Sequence, residues 1–294
     1  MKKSVHQYVV GGYAYRVEFC DETNGVEHIP SSEVFEREVD DSDVLFTLHV
    51  DDAFKPSEKG EEIGTFDSAG NLHEVYKKPD GGYQILVIDY CGRQCCLIES
   101  NADFSEASVK LQGDWTMRNF GINNCLMMMY AFAGADKGVL LMHSSVVSKD
   151  GKGYMFLGES GTGKSTHTAN WLKYIEGTDL MNDDNPVMRV FDGETRVYGS
   201  PWSGKTPCYK DVEAPVAAMV QLKQAPYNKI KRLGVIDAYT NILQACSIMK
   251  WDRRIHTSIC DTISKILSTT PVFFLENLPN EVAVRMSYEH TSIR

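Results

Sequence analysis

"YMFLGESGTGKSTHTANWL", residues 154–172, decides how the rest of the chain is read. An apolar run ends in a glycine-rich turn, then a lysine, a serine and a helix-forming stretch follow. The turn "GESGTGKS" fits G-x-x-x-x-G-K-[ST] through Gly158, Gly163, Lys164 and Ser165. Glycines there let backbone N–H groups turn toward phosphate oxygens. The lysine reaches the β- and γ-phosphates, and the serine hydroxyl is a Mg²⁺ ligand. The following helix points the positive end of its dipole at the same anion. Residues Gly158, Glu159, Ser160, Gly161, Thr162, Gly163, Lys164, Ser165 and Thr166 are therefore expected to line a nucleoside triphosphate site.

The loop alone does not separate a switch, a motor, a nucleic-acid ATPase and a small kinase. The residues after it narrow the choice. In "DLMNDD" (179–184), Asp183 and Asp184 follow Lys164 by 19 and 20 positions (183 − 164 and 184 − 164). That interval holds one helix and one short strand, so the carboxylates are expected beside the loop. One can hold Mg²⁺ while the other accepts a proton from an attacking hydroxyl, although "NDDNP" is also good turn chemistry. His143, in "LLMHSSVV", ends or interrupts the apolar strand before the loop strand. The residues alone leave it open whether His143 is a core histidine or a partner for a metal or an aspartate.

Around this centre the chain reads as two regions. Residues 1–113 carry strand-like stretches, "YAYRVEF" (13–19), "VLFTLHV" (44–50) and "YQILVIDY" (83–90), separated by turn signals as in an antiparallel meander. Residues 114–294 alternate apolar strands and helical stretches, an α/β pattern. A buried helix is expected over 118–135 and buried strands over 138–148, 153–158 and 214–224. Two amphipathic helices, near 235–249 and 253–268, lead into "PVFFLEN" (271–277) and a polar tail.

Bulk composition sets limits. Net charge is −10, which argues against a nucleic-acid partner, since phosphate backbones demand a basic footprint. No apolar run reaches the length of a membrane span. The N-terminus shows no signal-peptide pattern, so a cytoplasmic protein is expected. Eight cysteines do not make a disulfide scaffold. Cys91, Cys95 and Cys96 in "YCGRQCC" lack a nearby fourth zinc ligand and read as buried or half-buried thiols. "REVDDSD" (37–43) reads as an acidic surface loop, with a metal site as the alternative.

The segments "MHSSVVSKDGKGYMFLGESGTGKST", "NDD" and "GSPWSGKTP" resemble the P-loop kinase domain shared by HPr kinase/phosphorylase and ATP-dependent phosphoenolpyruvate carboxykinase. The resemblance covers roughly residues 115–290; no family is recognised for the first 110. It implies an ATP-dependent kinase with Mg²⁺, or Mn²⁺, as metal. Asp183 would be the general base, Asp184 and Ser165 metal ligands, and Lys164 the phosphate-binding lysine. His143 would ligate a second metal or pair with the catalytic aspartate, and Lys205 would lie near the transferred phosphoryl group. The implied acceptor is a hydroxyl on a protein, a peptide or a small molecule. Relatives with this domain often assemble, so a homo-oligomer is a further expectation. The loop ends in "KST" where HPr kinases commonly have "KSE", and no dicarboxylate-binding arginines can be matched. A carboxykinase-like enzyme and a non-catalytic nucleotide-binding module stay open as alternatives.

Overall fold

A computed structural model describes residues 4–40, 44–68, 71–204 and 206–292. The chain divides into two compact units. One comprises 1–134 with 249–253 and the other 135–248 with 254–294.

The first unit is built on an eight-stranded sheet. Its strands are β1 (Ser4–Val10), β2 (Tyr13–Phe19), β3 (Val44–Val50), β4 (Glu61–Ser68), β5 (Asn71–Lys77), β6 (Tyr83–Ile88), β7 (Gln94–Ser100) and β8 (Glu106–Leu111). Their order is β1-β2-β3-β8-β7-β6-β5-β4. The expected antiparallel meander holds from β4 to β8. It fails at β3, which lies between β2 and β8 and runs parallel to both. The cause is the long connection after β2: a hairpin turn joins only antiparallel neighbours, whereas a long crossover can return the chain in the same direction.

Alternation sorts the two faces of this sheet. Val17, Phe19, Leu48, Val50, Val109, Cys96 and Ile98 are buried, and the polar residues between them face the other way. Helix α1 (Trp115–Gly134) packs on the apolar face, closest at Gly121, where an added Cβ would sit 3.0 Å from the Cys95 carbonyl oxygen. This docking moves the division from the expected 113/114 to after Gly134, because α1 buries its side chains with the first sheet. Cys95 and Cys96 are buried as expected, but Cys91 is exposed. Of "REVDDSD", residues 41–43 lie outside the described residues. Arg37, Glu38 and Asp40 are exposed, as a surface loop requires.

The second unit contains β9 (Val139–Leu141), β10 (Ser144–Lys149), β11 (Lys152–Leu157), α2 (Lys164–Tyr174), β12 (Asp179–Asn182), β13 (Val187–Phe191), β14 (Glu194–Tyr198), β15 (Glu213–Gln224), β16 (Lys229–Arg232), α3 (Val235–Ala245), α4 (Arg253–Thr269), β17 (Val272–Asn277) and α5 (Glu281–Ser292). The long strand β15 is the organising element. Its first residues pair with β14, which leads through β13 to β9; the rest lies between β11 and β17, parallel to both. β10 and β12 extend the β11 edge, and β16 flanks β17. The unit is thus mixed α/β. Tyr154, Phe156, Trp171, Val220 and Leu275 share its buried core.

Two expectations need correction here. The single strand foreseen over 138–148 is broken into β9 and β10, with Met142 and His143 between them. The polar tail is the helix α5, whose buried side includes Ser287 and Thr291 beside Ala283 and Val284. Among the described residues no helix is long and apolar enough to cross a membrane.

Candidate active site

Strand β11 carries the chain to Leu157, and the backbone turns at Gly158 with φ 152°. An added Cβ there would overlap the Thr162 hydroxyl. Gly161 and Gly163 have φ 85° and 99°, and a Cβ on either meets nothing within 4 Å. The turn therefore curls around open space, and glycine is needed for its left-handed backbone rather than for packing. Its shape is held from inside. Thr162 donates its N–H (3.2 Å) and its hydroxyl (2.8 Å) to the Glu159 carbonyl. Gln224, at the end of β15, donates to the Gly161 carbonyl at 2.9 Å.

Helix α2 starts at Lys164 behind a left-handed Gly163, and no side chain caps it. The first N–H groups of a helix have no intrahelical acceptor, so this end is suited to an anion. Lys164 is only 7% exposed, and its ammonium donates to the carbonyls of Gly158 (2.8 Å) and Glu159 (3.3 Å). Burial lowers its pKa, and the charges of Asp184 and Asp183 oppose that fall. Lys164 and the carboxylate pair thus share one electrostatic neighbourhood. Ser165 and Thr166 are exposed on the first helical turn.

Strand β12 ends at Asn182, leaving Asp183 and Asp184 in the turn beyond it. Asp183 is buried: Oδ1 accepts from the Ser145 hydroxyl at 2.8 Å and Oδ2 from the Thr206 N–H at 3.2 Å. Asp184 is half-buried, and Oδ2 accepts from the Asn185 side chain at 2.9 Å. Burial lifts its carboxyl to about 6, against the pull of Lys164 and with a further push from Asp183. His143 stands in the β9–β10 break with Nε2 3.5 Å from Asp184 Oδ1. Burial, and then the Lys164 charge, lower its pKa to about 4, so the ring is neutral at pH 7 and keeps a lone pair for a metal. Its backbone is fixed by donation from His143 N–H to the Ala245 carbonyl (2.7 Å) and from Ser144 N–H to the Asp184 carbonyl (2.8 Å).

The structure therefore brings His143, Lys164, Asp183 and Asp184 together. Lys205 lies outside the described residues. Several contributors were not foreseen. Ser145 holds Asp183, and its signal was position: it is two residues from His143 on the same run. Asn182 donates to Ser200 Oγ at 3.0 Å, and Ser200 donates to the Asn185 carbonyl at 2.6 Å. This bonding draws the segment after β14 against the Asp pair, so close that a Cβ on Gly204 would lie 3.1 Å from the Asp183 carbonyl oxygen.

Chemically, a buried ammonium and an uncapped helix end favour an anion. Asp184, His143 and Ser165 offer O and N donors of the kind Mg²⁺ or Mn²⁺ accepts. The open cradle of Gly161 and Gly163 fits a phosphate group.

No family model and no curated protein matches the chain. Among solved structures, 52 chains match. One is the Hpr(Ser) kinase/phosphatase from Coxiella burnetii, at 12% identity and TM-score 0.30, covering 52% of this chain and 99% of that one.

Proposed function

We propose that this chain is an ATP-dependent phosphotransferase that moves the γ-phosphoryl group to a hydroxyl, such as a serine of a protein, a peptide or the free amino acid. The observation that carries this reading is the meeting of Lys164, at the head of an uncapped helix, with Asp183 and Asp184. The order of these groups along the sequence, which resembles the HPr kinase type, supports it.

Bound at the loop, ATP with Mg²⁺ would supply the transferable phosphoryl group and the neutralising charge. The chain's own residues supply positioning, which is most of what phosphoryl transfer needs. Lys164 and the glycine loop hold the phosphates. Asp184, Ser165 and neutral His143 would hold the metal. Asp183, clamped through both oxygens, takes the proton of the acceptor hydroxyl. A general base of this kind contributes about 10²- to 10⁴-fold.

The test is transfer of label from γ-labelled ATP to free serine, a serine peptide and a carrier protein, with Lys164→Ala and Asp183→Asn in parallel. Both variants are expected to lose at least about 100-fold in rate. Full activity in both would overturn the assignment. Formation of phosphoenolpyruvate from oxaloacetate, ATP and Mn²⁺ would move it to the carboxykinase type.

A further inference from the structure

The polar face of the first sheet holds a group of ligands that phosphotransfer does not use. Glu18 and Cys20 lie two residues apart at the end of β2, so they project from the same face. His49 on β3 is the direct partner of Glu18 in the ladder, and Glu106 on β8 is opposite Thr47, two residues before His49. One carboxylate oxygen of Glu18, the Cys20 sulfur and a ring nitrogen of His49 all lie within 4.8 Å of one another, and all three residues are half-buried.

The pairing at His49 is what distinguishes this cluster from a surface ion pair. Nδ1 lies 3.1 Å from Glu18 Oε2, and Nε2 lies 3.2 Å from Glu106 Oε1. Two ligands bound to a tetrahedral zinc at about 2.0–2.1 Å are about 3.3 Å apart, close to the observed Glu18–His49 spacing. Glu106 then takes the Nε2–H, which leaves the Nδ1 lone pair for the metal. That is the carboxylate–imidazole–metal relay by which an outer carboxylate fixes the tautomer of a ligating histidine. Cys20 is itself held in place, because its N–H donates to the Val50 carbonyl at 2.9 Å, continuing the ladder past β2.

We infer that Glu18, Cys20 and His49 form a zinc site on the first unit, with Glu106 as the outer carboxylate and water as the fourth ligand. A thiolate, an imidazole and a carboxylate together select Zn²⁺ over the hard cations suited to the loop. On binding, Cys20 gives its S–H proton to solvent as the Zn–S bond forms. The ion ties β2 to β3, two parallel strands joined by a long connection, and so braces the place where the meander is broken.

The test uses the full chain, stripped of metal with a chelator and titrated with Co²⁺ and then Zn²⁺. One equivalent of Co²⁺ is expected to give a thiolate-to-metal charge-transfer band that Zn²⁺ removes; the oxygen and nitrogen donors of the loop site give no such band. Cys20→Ser and His49→Gln should each lose the band and at least about 100-fold in Zn²⁺ affinity. Glu106→Gln should keep the band and lose about 10- to 100-fold. Cys260→Ser, which removes a thiol 3.7 Å from His256 on α4, should change nothing. A band that survives in Cys20→Ser, or no band in the unmodified chain, overturns the site. Should Cys20→Ser not fold, His49→Gln decides.

Discussion

The Ser145 hydroxyl donates to Asp183 Oδ1 at 2.8 Å with both side chains buried, one at the start of β10 and the other just past β12. These strands are neighbours, and the bond ties the first residue of the turn after β12 to the strand that follows His143. Ser145→Ala leaves a buried carboxylate oxygen without that donor, at a stability cost of about 1–3 kcal/mol. It also frees Asp183 to rotate away from the position that the proposed transfer requires. Phosphotransfer turnover should fall about 10- to 100-fold, since an error of about 1 Å in a reacting group can cost that much. Nucleotide affinity should barely change, because the Ser145 hydroxyl bonds to Asp183 and not to the loop. Steady-state kinetics beside an ATP titration separates the two, and an equal loss in both would show that Ser145 does no more than hold the fold.

Gly158→Ala should act the other way round. The new Cβ would overlap the Thr162 hydroxyl in a backbone with φ 152°, so the turn must open. Left-handed or similarly sparse backbone costs a side-chain-bearing residue about 1–3 kcal/mol. ATP affinity should fall at least tenfold while far-UV circular dichroism is retained. Gly193→Ala is the control: φ is 76° in the β13–β14 turn and an added Cβ meets nothing within 4 Å, so it carries left-handed strain alone, away from the loop. If both substitutions weaken ATP equally, the loop is not the site.

The glycine-rich turn between β11 and α2 was legible because its pattern is local. Gly158, Gly163, Lys164 and Ser165 must stand at fixed offsets, and strand and helix adjoin them in the chain. Asp183 and Asp184 were legible for the same reason, being one short strand away. Their partners were not. Ser145 and Thr206 reach Asp183 only through sheet order and a loop that folds back, and no spacing rule encodes either. The parallel insertion of β3 is likewise a long-range choice. The hairpin of β13 and β14, by contrast, carries a local signal, Asp192–Gly193, both at positive φ. Helix α5 escaped because its buried stripe uses Ser287 and Thr291, which no hydrophobic pattern counts.

Those serine and threonine positions carry a prediction of their own. Trp171 Nε1 donates to Ser287 Oγ at 2.9 Å and to His167 Nε2 at 3.2 Å, fastening α2 to α5 in the core. Trp171→Phe keeps most of the apolar volume but strips both acceptors of their donor. A loss of about 0.5–1.5 kcal/mol is expected for the hydrogen bond removed, since His167 Nε2 and Ser287 Oγ still face each other at 3.2 Å. Amide exchange should quicken across 281–292 before it does across β11. Uniform acceleration throughout the second unit would show that α5 is not separately fastened there.

His73 gives a pH dependence with a defined sign. It is buried in β5, and its Nδ1 accepts the Ile88 N–H at 3.1 Å. Burial is the main reason its pKa is lowered to about 4, against 6.5 for the free side chain. Between those values the unfolded chain binds a proton that the native ring refuses, so stability rises with pH across that window. The contribution is fully present above about 6.5 and is lost as pH falls toward 4, where a proton on Nδ1 would also replace the acceptor for Ile88 by a donor. The most this can amount to is about 3 kcal/mol, from 1.36 kcal/mol per pKa unit. His73→Gln keeps a side-chain acceptor without an ionisable ring, so its stability should depend less steeply on pH between 6.5 and 4 than that of the unmodified chain. Proton NMR of the imidazole reads the same quantity directly, and a His73 resonance that titrates near 6.5 would contradict the buried neutral ring.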